Sequence, residues 1–340
     1  GLPWIADFRD PWAENTALKP PTAWHRQRIR RWEAQVVRAA DRVTVVSEPM
    51  AASLRATYPA LPPAHFLTLP NGYDPEDFAQ AAPAAVEDPP RMTWVYSGSF
   101  YGERRAQPFL HALHAALVAG RIPRAQVRVR LVGNVGQAAA EDVRNLGLDD
   151  VVELPGYLPH RASIGHLLAA DALLLMIAPG PGSAGVLTGK LFEYLAAAKP
   201  ILGLTPPSAA AELIRASRAG VVIDPGDVAG IEQQLVVWFG QWQRGELRWQ
   251  GDPAMVARFA AATGADPALF QAHYATLGAQ RALRILGIFA RLCLAAGKPQ
   301  YLRLIPRVWG QLQQNLAHPA LARLRMICDR LLPAPTPEIL

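Results

Sequence analysis

The chain has 340 residues, of which 51% are hydrophobic and 18% are charged, so it can bury a large core and long disordered tracts are not expected. Its two cysteines predict neither a disulfide framework nor a cysteine-based metal site, and no run of 18 apolar residues predicts a membrane span. The net charge of +6 arises in residues 261–340, which have 9 basic and 3 acidic side chains, whereas residues 1–260 have 25 of each.

This change in charge predicts a domain boundary near residues 255–265. A basic tail can contact nucleic acid, but such a tail is more often a solvated helical face, so no nucleic-acid partner is expected. The opening residues lack the charged start of a signal peptide and include Asp7, which predicts a cytoplasmic protein.

Residues 1–80 alternate short apolar segments with amphipathic ones and predict a partial Rossmann-like domain. The predicted strands are 4–8, 41–47 and 66–70, the predicted helices are 24–40 and 48–58, and a linker rich in alanine and proline follows at 81–91. The inner positions expected for the first helix are Trp32, Val36, Val37 and Ala40.

Residues 92–245 predict a second, complete Rossmann-like domain. The predicted strands are 92–96, 127–132, 149–154, 172–177, 201–204 and 221–223, and the predicted helices are 106–119, 161–170 and 228–242. Strands that alternate with helices indicate parallel βαβ units with right-handed crossovers.

The most informative segment of this second domain begins a helix after Gly185. Thr188 can cap the helix, and Leu191, Leu195 and Ala198 are expected on one apolar face. Pro200 should end the helix before a short buried strand.

Lys190 and Glu193 are three residues apart and so project from the same side of this helix. A helix N-terminus with a lysine suits a phosphate, and a carboxylate, which offers only acceptors, suits a pair of sugar hydroxyls. The spacing alone equally allows a surface Lys–Glu pair.

A small-residue loop follows the strand at 92–96 and contains Gly98. A glycine there lets backbone amides approach a phosphate, and Arg104 and Arg105 at the next helix entrance can neutralise it. Asp7 lies near the end of the first predicted strand and Arg9 and Asp10 follow it, at the edge where ligands bind in open α/β sheets.

Several motifs occur together in one order. They are Trp-Ile-Ala-Asp-Phe-Arg-Asp-Pro-Trp at 4–12, Ala-Asp at 40–41 with Val-Ser at 46–47, Asn-Gly-Tyr-Asp at 71–74, Tyr-Ser-Gly-Ser at 96–99, Gly-Tyr at 156–157, and Gly-Lys at 189–190 with Glu-Tyr-Leu-Ala at 193–196. With this set, residues from about 1 to 245 resemble a GT-B glycosyltransferase of the large retaining family 4.

The resemblance implies an α/β, GT-B-like fold in which the second domain binds a nucleotide-activated sugar and the first domain binds the acceptor. Glu193 would hold the ribose hydroxyls, and Tyr157 and Leu158 would flank the base, although Tyr157 can equally be a core tyrosine. The implied diphosphate contacts are Gly98, Ser99, Arg104 or Arg105, and Lys190. The donor-binding set also includes Gly133, Asn134, Thr188 and Gly189.

The implied reaction moves a sugar, with retention, from a nucleoside diphosphate sugar to a hydroxyl of a sugar or lipid-linked acceptor in cell-envelope polysaccharide or glycolipid synthesis. Lys190, the arginines and helix amides would stabilise the leaving diphosphate without a metal or cofactor. There is no Asp-x-Asp motif, and histidines such as His160 show no ligand spacing. Many members of the family act on lipid-linked acceptors at the inner membrane face, so peripheral contact with that membrane is expected.

Asp7, Arg9 and Asp10 would orient or deprotonate the acceptor. The alternative is that Arg9 pairs with Asp7 and that Asp10 caps a turn. The sequence departs from the family at Gly185, where a glutamate often precedes the ribose glutamate by eight positions. Its first strand resembles a middle strand, so an incomplete N-terminal domain is expected.

Residues from about 262 to 332 resemble the last helices of aminoglycoside-phosphotransferase-like amino-sugar kinases, within a predicted helical tail at 262–335. The motifs are the helix 278–292, Gly-Lys-Pro-Gln-Tyr-Leu at 297–302 and Pro-Arg-Val-Trp at 306–309. The kinase catalytic motifs are absent from the sequence, so the tail alone is not a kinase. Two other functions stay open: an incomplete hybrid that only binds nucleotide, and a GT-B nucleotide-sugar epimerase.

Overall fold

The computed structural model describes residues 4–15, 20–85, 89–100, 105–180, 182–254, 267–295 and 297–336. The chain divides into two compact units, residues 1–260 and residues 261–340. The division falls where the balance of charge changes along the sequence.

The strands of the first unit are short and mostly apolar. In chain order they are β1 Ile5–Phe8, β2 Arg42–Val45, β3 Phe66–Thr68, β4 Met92–Ser97, β5 Val127–Val132, β6 Val152–Gly156, β7 Ala172–Met176, β8 Ile201–Leu204 and β9 Gly220–Ile223. Its helices are α1 Ala23–Ala39, α2 Glu48–Thr57, α3 Pro75–Ala79, α4 Gln107–Val118, α5 Gly136–Asn145, α6 His160–Ala169, α7 Gly189–Ala197, α8 Ala209–Ala216 and α9 Val228–Gln243.

Two parallel sheets organise this unit. The smaller sheet has the order β1-β2-β3, and the larger has the order β6-β5-β4-β7-β8-β9. The strand order of the larger sheet reverses between β4 and β7, and ligands of open α/β sheets bind at the carboxyl ends of the strands beside such a point. The predicted α/β class, with parallel βαβ units, is confirmed.

The larger sheet is covered on both faces, as its continuous apolar strands predict. On one face Trp94 of β4 stacks on Trp238 of α9, with ring centroids 5.5 Å apart and planes 15° from parallel. Phe109 of α4 packs against the same indole. On the other face α7 contributes the buried side chains of Leu191 and Leu195.

A single apolar cluster continues from the smaller sheet into the larger one. It joins Val45 of β2 and Met50 of α2 to Leu187 and Leu191 around the start of α7. The two sheets therefore share a core within residues 1–260.

The buried stripe of α1 differs from the prediction. Val37 and Ala40 are buried as expected, but Trp32 is 45% exposed, so its predicted inner position is wrong. Glu33 is buried in its place, because positions 33, 37 and 40 share one face of a helix. The hydroxyl of Tyr58 donates to Glu33 over 2.9 Å, and burial together with this carboxylate raises the pKa of Tyr58.

Other differences concern short elements. Helices α3, α5 and α8 were not predicted, and β6 begins at Val152 rather than at residue 149. Helix α7 ends at Ala197, because Ala198 adopts a left-handed backbone conformation with φ of 51°, and this places Ala198 at the surface rather than on the apolar face.

The unit 261–340 is helical. It contains α10 Pro267–Leu294, α11 Ile305–Leu316 and α12 Ala322–Leu331. Small residues Ala275, Ala279 and Ala282 form the buried stripe of α10, and Leu312 and Leu316 form that of α11. Among the helices that the structure describes, none combines the length and the apolar character needed to cross a bilayer.

Replacement of Gly220 by alanine should destabilise the first unit. Gly220 lies opposite Ile201 in the β8–β9 pair, and an added Cβ would lie 1.9 Å from the carbonyl oxygen of Ile201. The strands must separate to admit it, so we expect a loss of about 1–3 kcal/mol in the free energy of unfolding, measured by urea denaturation. Gly72→Ala is the control, because its Cβ would meet nothing within 4 Å. Equal stabilities of the two variants would contradict this account.

Candidate functional site

The predicted donor-binding residues gather at the carboxyl ends of β4, β5 and β6. Each strand ends at, or one residue before, a glycine with positive φ: 139° at Gly98, 117° at Gly133 and 74° at Gly156. The amide of Gly98 donates to the carbonyl of Val132 over 2.8 Å, and that of Gly133 donates to Gly156 over 2.7 Å. These bonds hold three successive loops side by side beyond the strands.

At positions 98 and 133 a side chain is disfavoured by nearby atoms as well as by the positive φ. A Cβ on Gly133 would lie 2.3 Å from the carbonyl oxygen of Gly98. A Cβ on Gly98 would lie 2.0 Å from the Nζ atom of Lys190. The lysine ammonium therefore lies directly against the backbone of the loop after β4.

Lys190 belongs to the first turn of α7. Its amide donates to the Thr188 hydroxyl over 3.2 Å, which confirms Thr188 as the helix cap. Its Nζ atom lies 3.0 Å from the Tyr96 hydroxyl and 4.8 Å from the centre of that ring. The Tyr96 hydroxyl in turn donates to the carbonyl of Ser99 over 3.3 Å. The ammonium, the helix N-terminus and the glycine loop together form a positively polarised cradle.

A buried tyrosine fixes α7 against β4. The hydroxyl of Tyr194 accepts a 2.9 Å hydrogen bond from the amide of Ser97, the last residue of the strand. Tyr194 has no exposed surface and Ser97 is 9% exposed. The sequence does not predict this contact. The apolar neighbours of Tyr194 do indicate a buried side chain, whose hydroxyl would need a hydrogen-bond partner inside the core.

Glu193 lies one turn beyond the start of α7 and is half-buried. Its Oε1 atom lies 3.0 Å from Nε2 of His160, the first residue of α6. The other ring nitrogen of His160, Nδ1, lies 3.2 Å from Oδ2 of Asp77 in α3. The sequence does not predict His160 or Asp77 at this site, because no spacing relates positions 77, 160 and 193.

The remaining predicted residues differ in their exposure to solvent. Tyr157 is 82% exposed, which excludes the alternative of a core tyrosine, and Leu158 is half-buried. Asn134 is exposed, and its carbonyl accepts from the amide of Phe100 over 3.0 Å. Arg105 is exposed. Gly189 opens α7 next to Lys190. Arg104 lies outside the described residues.

Residues at the carboxyl end of β1 form a hydrogen-bonded group. Asp7 accepts from the Arg9 guanidinium over 2.7 Å and from the Thr44 hydroxyl over 2.8 Å. Arg9 also donates to the side-chain oxygen of Asn71 over 2.7 Å. The side-chain nitrogen of Asn71 in turn donates to the carbonyl of Leu187 over 2.9 Å. The pairing of Arg9 with Asp7, one of the alternatives from the sequence, is therefore present. Asp10 is exposed.

The position where the family often has a glutamate is closed. Gly185 is buried, and its carbonyl accepts a 2.6 Å hydrogen bond from the Ser47 hydroxyl. A Cβ on Gly185 would lie 3.1 Å from the Cβ of Met50. A side chain at 185 would therefore require Met50 to shift by a few tenths of an ångström.

Comparison with known proteins agrees with this geometry. Residues 91–239 match the family model described as glycosyl transferases group 1, and residues 1–77 match the model of glycosyltransferase family 4. Residues 1–77 and 91–239 therefore carry glycosyltransferase domains. The predicted resemblance to GT-B glycosyltransferases is confirmed for this part of the chain.

Solved glycosyltransferases share the fold of this region. WaaG, a glycosyltransferase involved in lipopolysaccharide biosynthesis, superposes with a TM-score of 0.54 at 18% identity over 70% of this chain and 66% of its own. Anabaena HepE, in complex with UDP and glucose, gives 0.53 at 15% identity over 75% of this chain and 67% of its own. These similarities support the GT-B-like fold.

The predicted resemblance of the tail to a kinase is supported in part by one curated protein. A segment of 71 residues, 21% of this chain, is 49% identical to the N-acetylmuramate/N-acetylglucosamine kinase of Caulobacter vibrioides. This segment covers 20% of that kinase. The chain thus spans 66% of WaaG and a fifth of the kinase.

Replacement of Tyr194 by phenylalanine tests the link between α7 and β4. The amide of Ser97 would remain buried without its acceptor, which should lower the free energy of unfolding by about 1–3 kcal/mol. Urea denaturation measures the change. Tyr157→Phe is the matched control. The side chain of Tyr157 is 82% exposed, so loss of its hydroxyl should leave the free energy of unfolding unchanged. A Tyr194→Phe protein as stable as that control would show that the bond contributes nothing.

Proposed function

We propose that residues 1–245 bind a nucleoside diphosphate sugar and transfer its sugar to a hydroxyl of an acceptor. One observation carries the proposal: the ammonium of Lys190 lies against the Gly98 loop at the N-terminus of α7, and the carboxylate of Glu193 lies one turn further along that helix. The first arrangement suits a diphosphate and the second suits ribose hydroxyls. The UDP bound in the HepE structure supports the same class of ligand.

The reaction depends on stabilising negative charge that develops on the leaving diphosphate. Lys190, the positive end of the α7 helix dipole and the exposed Arg105 can supply this stabilisation without a metal or a cofactor. The closed position of Gly185 supports a mechanism in which no carboxylate from that position assists at the sugar. Transfer with retention is proposed from the family match at residues 1–77.

The acceptor side is proposed to lie at the carboxyl end of β1. Both carboxylate oxygens of Asp7 are engaged, and the Arg9 guanidinium is held between Asp7 and Asn71, so these two side chains shape the site. Exposed Asp10 is the residue that we assign to orienting or deprotonating the acceptor hydroxyl. An acceptor in cell-envelope polysaccharide or glycolipid synthesis is proposed, with the lipopolysaccharide role of WaaG as support.

Lipid contact is proposed at the exposed face of α1. Trp24 and Trp32 are 57% and 45% exposed, and the Arg28 guanidinium lies 5.2 and 4.8 Å from the centres of their rings. The arginines of α1 are Arg26, Arg28, Arg30, Arg31 and Arg38, and its acidic residue, Glu33, is buried. Indole rings with arginines suit an anionic membrane surface. The protein would then be cytoplasmic and peripheral at the inner membrane face.

Calorimetric titration with UDP and GDP, without metal, tests the donor site. We expect binding of one nucleotide at micromolar strength, weakened roughly tenfold or more by Glu193→Ala, because a charged hydrogen-bond partner is lost. Glu141→Ala removes an exposed carboxylate from α5 and should bind as the wild type does. A folded protein that binds neither nucleotide, or a Glu193→Ala variant with wild-type affinity, would overturn the donor site.

Vesicle co-sedimentation tests the face of α1. Vesicles that contain phosphatidylglycerol should bind the protein, vesicles of phosphatidylcholine should not, and added salt should weaken binding. Joint replacement of Trp24 and Trp32 by serine should abolish binding while nucleotide affinity is kept. Val118→Ser is the control, because Val118 is a 71% exposed apolar residue on α4. Equal binding to both kinds of vesicle would contradict the role of charge.

A further inference from the structure

Three ionisable side chains from three helices meet beside the diphosphate cradle. The ring of His160 at the start of α6 lies between Glu193 of α7, at 3.0 Å from Nε2, and Asp77 of α3, at 3.2 Å from Nδ1. The three side chains are 35%, 26% and 26% exposed for His160, Glu193 and Asp77. All three side chains are thus partly shielded from solvent.

The contact of the ring with Glu193 is a hydrogen bond. Ionised carboxylates only accept hydrogen bonds, so Nε2 of His160 donates to Oε1 of Glu193 over 3.0 Å. Asp77 lies 3.2 Å from Nδ1 on the other side of the ring, and among the described residues this nitrogen makes no hydrogen bond. His160 thus links α7 to α6 through its bond to Glu193, and Asp77 contacts the ring from α3.

No other charged side chain competes for the ring in the described part of the unit. Arg161, the next residue of α6, donates to Gln80 of the loop after α3. Lys190, one turn before Glu193 on α7, contacts Tyr96 of β4. The charged groups that contact His160 from the helices packed against it are therefore Asp77 and Glu193.

We propose that His160, oriented by Asp77, is the positioning residue for Glu193 in the donor site. It holds Oε1 of Glu193 so that the carboxylate presents its second oxygen to the ribose hydroxyls. Across the described ranges of the chain, that second oxygen makes no hydrogen bond within the protein. This inference rests on the nucleotide site proposed above.

Positioning of this kind acts on affinity through preorganisation. A glutamate side chain has several rotatable bonds, and a ligand that must order it loses binding free energy. With one oxygen already held by His160, less ordering remains when the ribose binds. Because Asp77 belongs to α3, residues before the linker also contribute to the donor site.

The experiment compares UDP with its 2′-deoxy analogue, or the guanine pair if the wild type binds GDP. His160→Ala should weaken binding of the ribonucleotide roughly tenfold and leave the deoxynucleotide little changed, because the effect passes through contacts with the ribose hydroxyls. Asp77→Asn should cause a smaller loss with the same selectivity. His111→Ala, which removes an exposed histidine from α4, is the matched control.

A conservative variant adds a readout that a merely structural role would not change. His160→Gln keeps a hydrogen-bond donor toward Glu193, so it should restore part of the ribonucleotide affinity that His160→Ala loses and leave binding of the deoxynucleotide little changed. A folded His160→Gln protein as weak as His160→Ala would contradict a role for this donor.

The outcomes separate this inference from the proposed function. If the wild type binds nucleotide and Glu193→Ala weakens it, but His160→Ala binds both nucleotides as the wild type does, the inference is wrong and the donor site stands. Equal losses for the ribonucleotide and the deoxynucleotide would also overturn it, since they would indicate a general disturbance of the site. Failure of the folded wild type to bind either nucleotide would overturn both.

Discussion

The candidate site depends on how closely α7 approaches the end of β4. The bond from the Ser97 amide to the Tyr194 hydroxyl sets this distance from inside the core. The absence of a side chain at Gly98 then allows Lys190 to reach the loop backbone. If α7 were further away, its N-terminal amides and the ammonium would no longer converge on one anion, since the field of a helix end falls off within a turn.

Part of this arrangement was predictable because it is local. The cap at Thr188 and the apolar strands β7 and β8 follow from short-range patterns that any helix or buried strand must satisfy. Lys190 and Glu193 could be placed on one side of the helix for the same reason.

The rest was not predictable, because it depends on contacts between distant segments. The trio of Asp77, His160 and Glu193 joins three helices whose packing no periodicity encodes. Trp32 was assigned to the wrong face because an indole ring outweighs a carboxylate in any pattern of hydrophobicity, yet burial of Glu33 is compensated by the Tyr58 hydroxyl. Local sequence does not reveal such compensation.

The apolar cluster shared by the two sheets has a consequence for how the chain unfolds. Met50 packs on the backbone of Gly185, and both belong to a core that extends from Val45 to Leu191. The smaller sheet thus has few buried groups that are independent of its neighbour. Residues 1–260 should accordingly behave as one cooperative folding unit, in which hydrogen exchange of β2 and of β7 is governed by the same opening event.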